Sequence, residues 1–132
     1  MTSTLTKFLA SVLTVAALTV PAFAEGQISL TVTPTDPEAA EAMKTGIALA
    51  SIFQGLSKDG GISQNGMNNF GGLFQNGSNN QGLLIQDGDN HNGQIVQNGD
   101  NNSCALIQLG EGTDGQCVQN GDDTSATVQI GF

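Results

Sequence analysis

The sequence contains no Arg, Tyr or Trp, only three Lys and a single His, and its formal net charge at pH 7 is −9. Proteins that bind nucleic acid or anionic membrane surfaces use Lys and Arg side chains that neutralise phosphate groups. The shortage of basic residues therefore excludes a nucleic-acid-binding protein and a protein that lies on an anionic membrane.

Side chains that commonly carry out catalysis are scarce as well. With one His, two Cys and no Arg, the sequence offers no Ser/His/Asp set, no metal-ligand cluster and no phosphate-binding loop. We therefore predict that the protein is not an enzyme and that it binds no cofactor and no metal ion. Its 132 residues allow one small domain at most.

Gly, Asn and Gln dominate the composition instead, with 18, 12 and 12 residues, while only 11% of the chain is charged. This bias is unusual for a globular domain. It also differs from the charge-rich composition of many disordered tails.

Residues 1–24 have the pattern of a secretory signal peptide. Lys7 supplies a positive charge, residues 8–20 form an uncharged and mostly apolar stretch, and Ala-Phe-Ala at 22–24 is a small-x-small cleavage site. The apolar stretch is shorter than the roughly 20 residues that span a bilayer, although a membrane anchor remains the alternative. No later stretch is apolar and long enough to span, so we predict a secreted mature chain without a transmembrane segment.

Residues 25–61 resemble ordinary protein and form a flanking segment. Apolar residues alternate with polar ones in QISLTV at 27–32, which predicts a short strand. Asp36, Pro37 and Glu38 make a strong helix start, with an N-cap, a proline at the first position and an acid in the first turn. The segment is predicted to cap or flank the fold, and an export or docking segment is the alternative. A helix from Pro37 to about Leu56 would place on one face Ala40, Met43, Ile47, Ala50 and Phe53.

Residues 62–132 contain a repeat with a period of 11 residues. Each copy opens with the phrase Q-x-G-x-x-[N/H/T]. The Gln positions are Gln64, Gln75, Gln86, Gln97, Gln108 and Gln119. The Gly positions are Gly66, Gly77, Gly88, Gly99, Gly110 and Gly121. The closing positions are Asn69, Asn80, His91, Asn102, Thr113 and Thr124.

The repeat predicts one strand and one turn per copy. Gly and Asn disfavour the helical alternative, a right-handed coiled coil, and Gly within x-G-x-x is typical of turns. Between turns the residues alternate with period 2. The residues predicted to point inward in each copy are, in order, a polar residue, a small residue, an aliphatic residue and Gln. Folding back at every turn gives a thin two-sheet all-β solenoid with coils of about 22 residues, in which each strand stacks on the strand one coil away.

Large and small side chains are predicted to oppose each other across the solenoid, as Leu73 opposes Gly82 and Leu84 opposes Gly93. Gln and Asn amides of successive coils would stack in hydrogen-bonded ladders. The core is small, and the ends would expose unpaired strand edges that a further copy would cover. These features favour a polymer.

The sixth copy is one residue short, because Gln119 and Gln129 are 10 residues apart. Continued alternation would turn Gln129 outward and mark an end of the stack. The inward set would then be Thr124, Ala126, Val128 and Ile130.

Three further groups of residues have open interpretations. Cys104 and Cys117 face each other across a turn, and they form either a disulfide or buried thiols, since a typical sheet spacing of about 10 Å exceeds the reach of a disulfide. His91 occupies an Asn position, which favours a stacked polar residue over a metal ligand. The acidic turn residues are interpreted as solvated charges, with calcium binding as the alternative, and they are Asp89, Asp100, Glu111 and Asp122.

An outward apolar column is the fourth such feature. We interpret it either as a surface for lateral bundling or adhesion or as simple strand propensity. Its members are Phe74, Ile85, Val96, Ile107 and Val118.

The phrase Q-x-G-x-x-N-x-small-x-φ-x-Q resembles the curlin repeat of bacterial curli subunits. It stands here as QNGSNNQGLLIQ from Gln75 and QNGDNNSCALIQ from Gln97. The resemblance implies a secreted functional-amyloid subunit of adhesive biofilm fibres, with the Gln and Asn positions as inward ladders. It also implies as partners further copies of itself, other curlin subunits and a curli-type outer-membrane secretion apparatus reached through the periplasm.

The chain departs from the curlin pattern in two respects. Gly often replaces the usual Ala after the Asn, and residues 25–61 do not look like a Gly-rich export leader. The uniform 11-residue spacing of the repeats is similar to that of the minor, nucleating curlin. The acidic C-terminus, however, lacks the basic residues expected of that nucleator, so both the major and the minor subunit remain open as interpretations. A monomeric β-solenoid that binds carbohydrate, ice or another surface is the alternative function, although the outward face has no flat Thr array.

Overall fold

The computed structural model describes residues 26–132, and the predicted signal peptide lies outside this range. One strand and one helix, β1 (Gln27–Val32) and α1 (Pro37–Phe53), precede a run of seven strands. These strands are β2 (Gly60–Asn65), β3 (Phe70–Asn76), β4 (Gln81–Asp89), β5 (Asn92–Asn98), β6 (Ser103–Glu111), β7 (Asp114–Gln119) and β8 (Thr124–Gly131).

The strands alternate between two sheets. Sheet A has the order β1-β8-β6-β4-β2, and sheet B has the order β3-β5-β7. From β2 to β8, every strand pairs in parallel with the strand one coil away, so that Gln64 lies opposite Gln86 and Gln75 lies opposite Gln97. The predicted fold, a two-sheet β-solenoid with 22-residue coils after a short strand and a helix, is confirmed.

A narrow apolar core fills the space between the sheets. Opposition of large and small residues is confirmed at two positions, where a Cβ on Gly82 would lie 2.6 Å from Leu73 and one on Gly93 would lie 2.8 Å from Leu84. This opposition brings the sheets closer than two layers of large side chains allow. The buried members are Leu84, Ile95, Cys104, Leu106 and Cys117.

The flanking segment contacts the solenoid through both its strand and its helix. β1 pairs antiparallel with β8 at the edge of sheet A. The predicted start of α1 is confirmed, because the Asp36 carboxylate accepts a hydrogen bond from the Ala39 backbone N–H at 2.8 Å. The helix lies on the outer face of sheet A, where Ile47 packs with Leu83 and Ala105.

The predicted end of the helix is wrong by three residues. α1 ends at Phe53, because Gly55 adopts φ +76° and the Leu56 N–H bonds to the Ser51 carbonyl at 2.9 Å, which is a Schellman termination. Phe53 is 87% exposed and does not belong to the packed face. Gly55 was the sequence signal for this earlier end.

The predicted outward turn of Gln129 is also wrong. Gln129 is 5% exposed and lies opposite Gln108. The last turn absorbs the missing residue, because its positive φ falls on Asp122, at the fourth position, whereas Asn takes the fifth position in the first four turns. Val128 and Ile130 therefore pair with the outward residues of β6, and the end of the stack keeps its ladder.

Within residues 26–132, no helix combines the length and the hydrophobicity that crossing a bilayer requires.

Candidate functional site

Two columns of Gln amides run along the inside of the solenoid, one in each sheet. In sheet A, Gln64 donates to Gln86 at 2.6 Å, Gln86 to Gln108 at 2.8 Å, and Gln108 to Gln129 at 2.9 Å. In sheet B, Gln75 donates to Gln97 at 2.9 Å and Gln97 donates to Gln119 at 2.8 Å. All Gln positions predicted for the ladders are thus brought together, and Gln129 joins them.

Each ladder has a direction that the backbone fixes. The second N–H of the amide donates to a carbonyl of the opposite sheet, as Gln86 Nε2 does to Phe70 O at 2.8 Å and Gln108 Nε2 to Asn92 O at 2.8 Å. In all five Gln-to-Gln hydrogen bonds, Nε2 donates to the coil on the C-terminal side. Among the described residues no buried side-chain N or O lacks a partner, so these polar columns carry little desolvation penalty.

The Asn column works differently from the predicted amide ladder. Asn69 Oδ1 accepts the His91 backbone N–H at 3.0 Å, and Asn80 Oδ1 accepts that of Asn102 at 3.2 Å. Only Asn102 donates to the amide of its neighbour, Asn80, also at 3.2 Å. The shorter Asn side chain sits close to the turn backbone, and it therefore ties one turn to the next instead of bonding mainly to another amide.

His91 is a stacked polar residue of this column, as predicted. It is 1% exposed, its Nδ1 lies 2.8 Å from Thr113 Oγ1, and its Nε2 lies 3.3 Å from the Asp87 carbonyl. No cluster of three or more His, Cys, Asp or Glu in the described part of the chain is placed to hold a metal ion.

The turns use the residues that the repeat predicted. All six turn glycines have positive φ, between 88° and 128°, which strongly favours Gly. The acidic residues have a role that the sequence did not reveal, because Asp89 Oδ1 accepts the Met67 N–H and Asp100 Oδ1 accepts the Ser78 N–H, both at 2.7 Å. These carboxylates therefore bind the turn of the preceding coil.

Cys104 and Cys117 form a disulfide, which decides between the two alternatives. Their Cα atoms are 6.8 Å apart, within disulfide reach and well below the spacing of about 10 Å for typical stacked sheets. The disulfide joins the two sheets in the third coil.

The outward apolar column does not form one surface. Phe74 and Val118 are exposed on the outer face of sheet B, whereas Ile85 and Ile107 belong to sheet A and are half-buried. Ile85 packs against the cluster beneath α1. Successive strands alternate between sheets, so positions 11 residues apart lie on opposite sides of the molecule.

The candidate site is therefore the set of strand edges and ladder amides at the ends of the stack. Gln64 and Gln75, the ladder residues of the first coil, are exposed. The five later ladder residues are buried. Such an end is able to pair with backbone and amide groups of another strand. No family model, curated protein or solved structure matches the chain.

Proposed function

We propose that the protein is a structural subunit of extracellular, curli-like amyloid fibres that serve cell adhesion and the biofilm matrix. It assembles by templated addition of strands at the ends of its solenoid. The observation that carries the proposal is the parallel stack of similar coils, whose Gln ladders reach the end of the molecule at the exposed Gln64 and Gln75.

The contacts between coils support this mechanism. A coil binds its neighbour through backbone pairing, the Gln amides and the Asn-to-backbone bonds, and these contacts recur at a separation of 22 residues. Contacts of the same kind can form between two molecules, because each coil presents backbone edges and Gln positions like those of the coil before it. Stacking of identical amides is also what stabilises cross-β fibres.

Partners and localisation follow from the curlin-like repeat and from residues 1–24. We propose export through the periplasm and a curli-type outer-membrane secretion apparatus, followed by assembly with further copies and with other curlin subunits at the cell surface. The protein performs no catalysis in this role.

X-ray diffraction from the incubated protein tests the proposal. The purified protein without its predicted signal peptide is held at neutral pH for days, and we expect fibres with a reflection at about 4.7 Å along the fibre axis, which is the spacing between paired strands. A protein that stays monomeric with an ordered β spectrum contradicts the fibre proposal. The antiparallel β1 at one end of sheet A would then favour the second candidate, a monomeric β-solenoid binding module.

A further inference from the structure

The two ends of the solenoid differ in their strand edges. At the first end, formed by β2 and β3 and here named the open end, neither strand has an outer neighbour among residues 26–132. At the second end, here named the closed end, β7 is the last strand of sheet B but β8 is covered by β1. Strand addition is therefore possible on both sheets at the open end and on one sheet only at the closed end.

The Gln ladders give the two ends opposite hydrogen-bonding character. Gln64 and Gln75 direct Nε2 into the stack, and their Oε1 atoms accept no hydrogen bond from the described residues. At the closed end, Gln129 Nε2 donates to the Asp114 carbonyl alone, at 3.0 Å, whereas Gln108 Nε2 donates to two acceptors. The open end thus presents free acceptors, and the closed end holds a free donor.

We propose that the open end is a docking surface for the β8 end of a second copy of this chain, and that β1 is a removable cap on that β8 end. The inference rests on the proposed fibre function and specifies its partner and direction. Placing β8 of the second copy beside β2 brings a Gln129 donor to the Gln64 acceptor, which repeats the contact of Gln108 with Gln129. If two open ends met, the free Oε1 acceptors of one copy would face those of the other, and no hydrogen bond between Gln amides would form.

β1 blocks this contact because it occupies the outer edge of β8. Gly26 and Phe132 exchange two backbone hydrogen bonds of 2.8 Å, and the hydroxyls of Thr31 and Thr127 lie 2.9 Å apart. β1 is antiparallel to β8, whereas each further coil is added in parallel. It is also weakly packed, since Ile28 is 47% exposed and Leu30 is 45% exposed, so its displacement uncovers little apolar surface.

The register allows β1 to be locked in place or released selectively. Hydrogen-bonded and non-hydrogen-bonded pairs alternate along an antiparallel ladder. Because Gly26–Phe132 is a hydrogen-bonded pair, the register makes Thr31–Thr127 a non-hydrogen-bonded pair with close side chains. This geometry is suited to a disulfide. Thr31→Cys with Thr127→Cys therefore locks the cap. Leu30→Pro removes a backbone N–H that faces β8, and the loss of this hydrogen bond releases the cap. Ser29→Pro removes a backbone N–H that faces away from β8 and is the matched control.

The experiment measures elongation of preformed wild-type fibres by two-colour fluorescence microscopy, with labelled monomer of each variant. We expect the locked variant to bind fibre ends through its open end and to slow their growth about tenfold or more, because each bound copy leaves a capped end. Leu30→Pro should shorten the lag before fibres appear about threefold or more, and Ser29→Pro should keep the wild-type lag. Circular dichroism verifies that each variant retains its β structure.

Two outcomes overturn the inference, and they are distinguishable. Elongation of the locked variant at the wild-type rate overturns the cap while leaving the fibre function in place. Absence of fibres from the wild type, from Leu30→Pro and from the locked variant overturns the fibre function and the docking surface with it.

Discussion

At the scale of single residues, the structure depends on amides that are buried yet fully hydrogen-bonded. Gln108 is 0% exposed, accepts from Gln86, and donates to Asn92 O and Gln129. A buried polar group without a partner destabilises a protein by about 1–3 kcal/mol. The ladders are therefore highly sensitive to loss of one amide, whereas an exposed Gln can turn to water.

Replacing Gln108 by Leu tests this dependence. The change keeps the side-chain size but leaves one N–H of the Gln86 amide and the carbonyl oxygen of the Gln129 amide unpaired, and it removes the bond from Gln108 to the Asn92 carbonyl. We therefore expect the free energy of unfolding to fall by about 3 kcal/mol. The control is Gln116→Leu on the outer face of sheet B, where Gln116 bonds Gln94 in an exposed position, and its effect should stay within about 0.5 kcal/mol. Urea denaturation measures both, and equal effects would contradict a special role for the inward amides.

At the scale of elements, one contact that does not recur along the stack is the packing of α1 on sheet A. The helix covers one column of outward residues of sheet A, among them Leu83 and Ala105, which are 1% and 4% exposed. The outer face of sheet B has no helix over it among the described residues, and Phe74 remains 61% exposed there. The outer faces of sheets A and B are thus chemically different, although the same repeat pattern builds both sheets.

Replacing Ile47 by Ala tests the docking of α1. Ile47 is 5% exposed and packs on Leu83 and Ala105, so the substitution leaves a cavity, and we expect a loss of about 2–5 kcal/mol of unfolding free energy. Leu49, which is 52% exposed, provides the control Leu49→Ala, with an expected change of under about 1 kcal/mol. Thermal unfolding followed by circular dichroism checks both, and similar melting temperatures for the two variants would show that α1 does not depend on this contact.

At the scale of the whole molecule, a thin stack has to be held together by few long-range constraints. The disulfide between Cys104 and Cys117 joins sheet A to sheet B across 13 residues of sequence. β1 adds a second constraint, because it connects the N-terminal segment to the last coil through its pairing with β8. Both constraints lie at the closed end, which leaves the open end as the less restrained part.

Replacing both Cys residues by Ala tests the contribution of the disulfide. A cross-link over a loop of this length stabilises a protein by about 2–4 kcal/mol, chiefly by restricting the unfolded chain. We expect the Cys104→Ala, Cys117→Ala variant to lose about that amount in urea denaturation. Reduced wild-type protein is the control and should show a comparable loss, while an unchanged midpoint in both would contradict the constraint.

The repeating part of this protein can be predicted from its sequence alone. The solenoid, its turns and the Gln columns follow from local rules, because turn glycines and period-2 alternation act within one copy and recur at 11 residues. The start of α1 at Asp36 and Pro37 is equally local. The end of α1 also has a local signal in Gly55, although the apolar periodicity continues to Leu56 and favours a longer helix.

The features that break the repeat depend on tertiary contacts. The short last turn changes its backbone conformation and thereby preserves the buried hydrogen bond between Gln108 and Gln129. This outcome depends on the position of Gln108 in the neighbouring coil. The antiparallel pairing of β1 with β8 and the close approach of Cys104 to Cys117 join residues far apart in sequence or in opposite sheets. Such contacts are set by competition among distant edges and by the packing distance between sheets, and no local pattern encodes either.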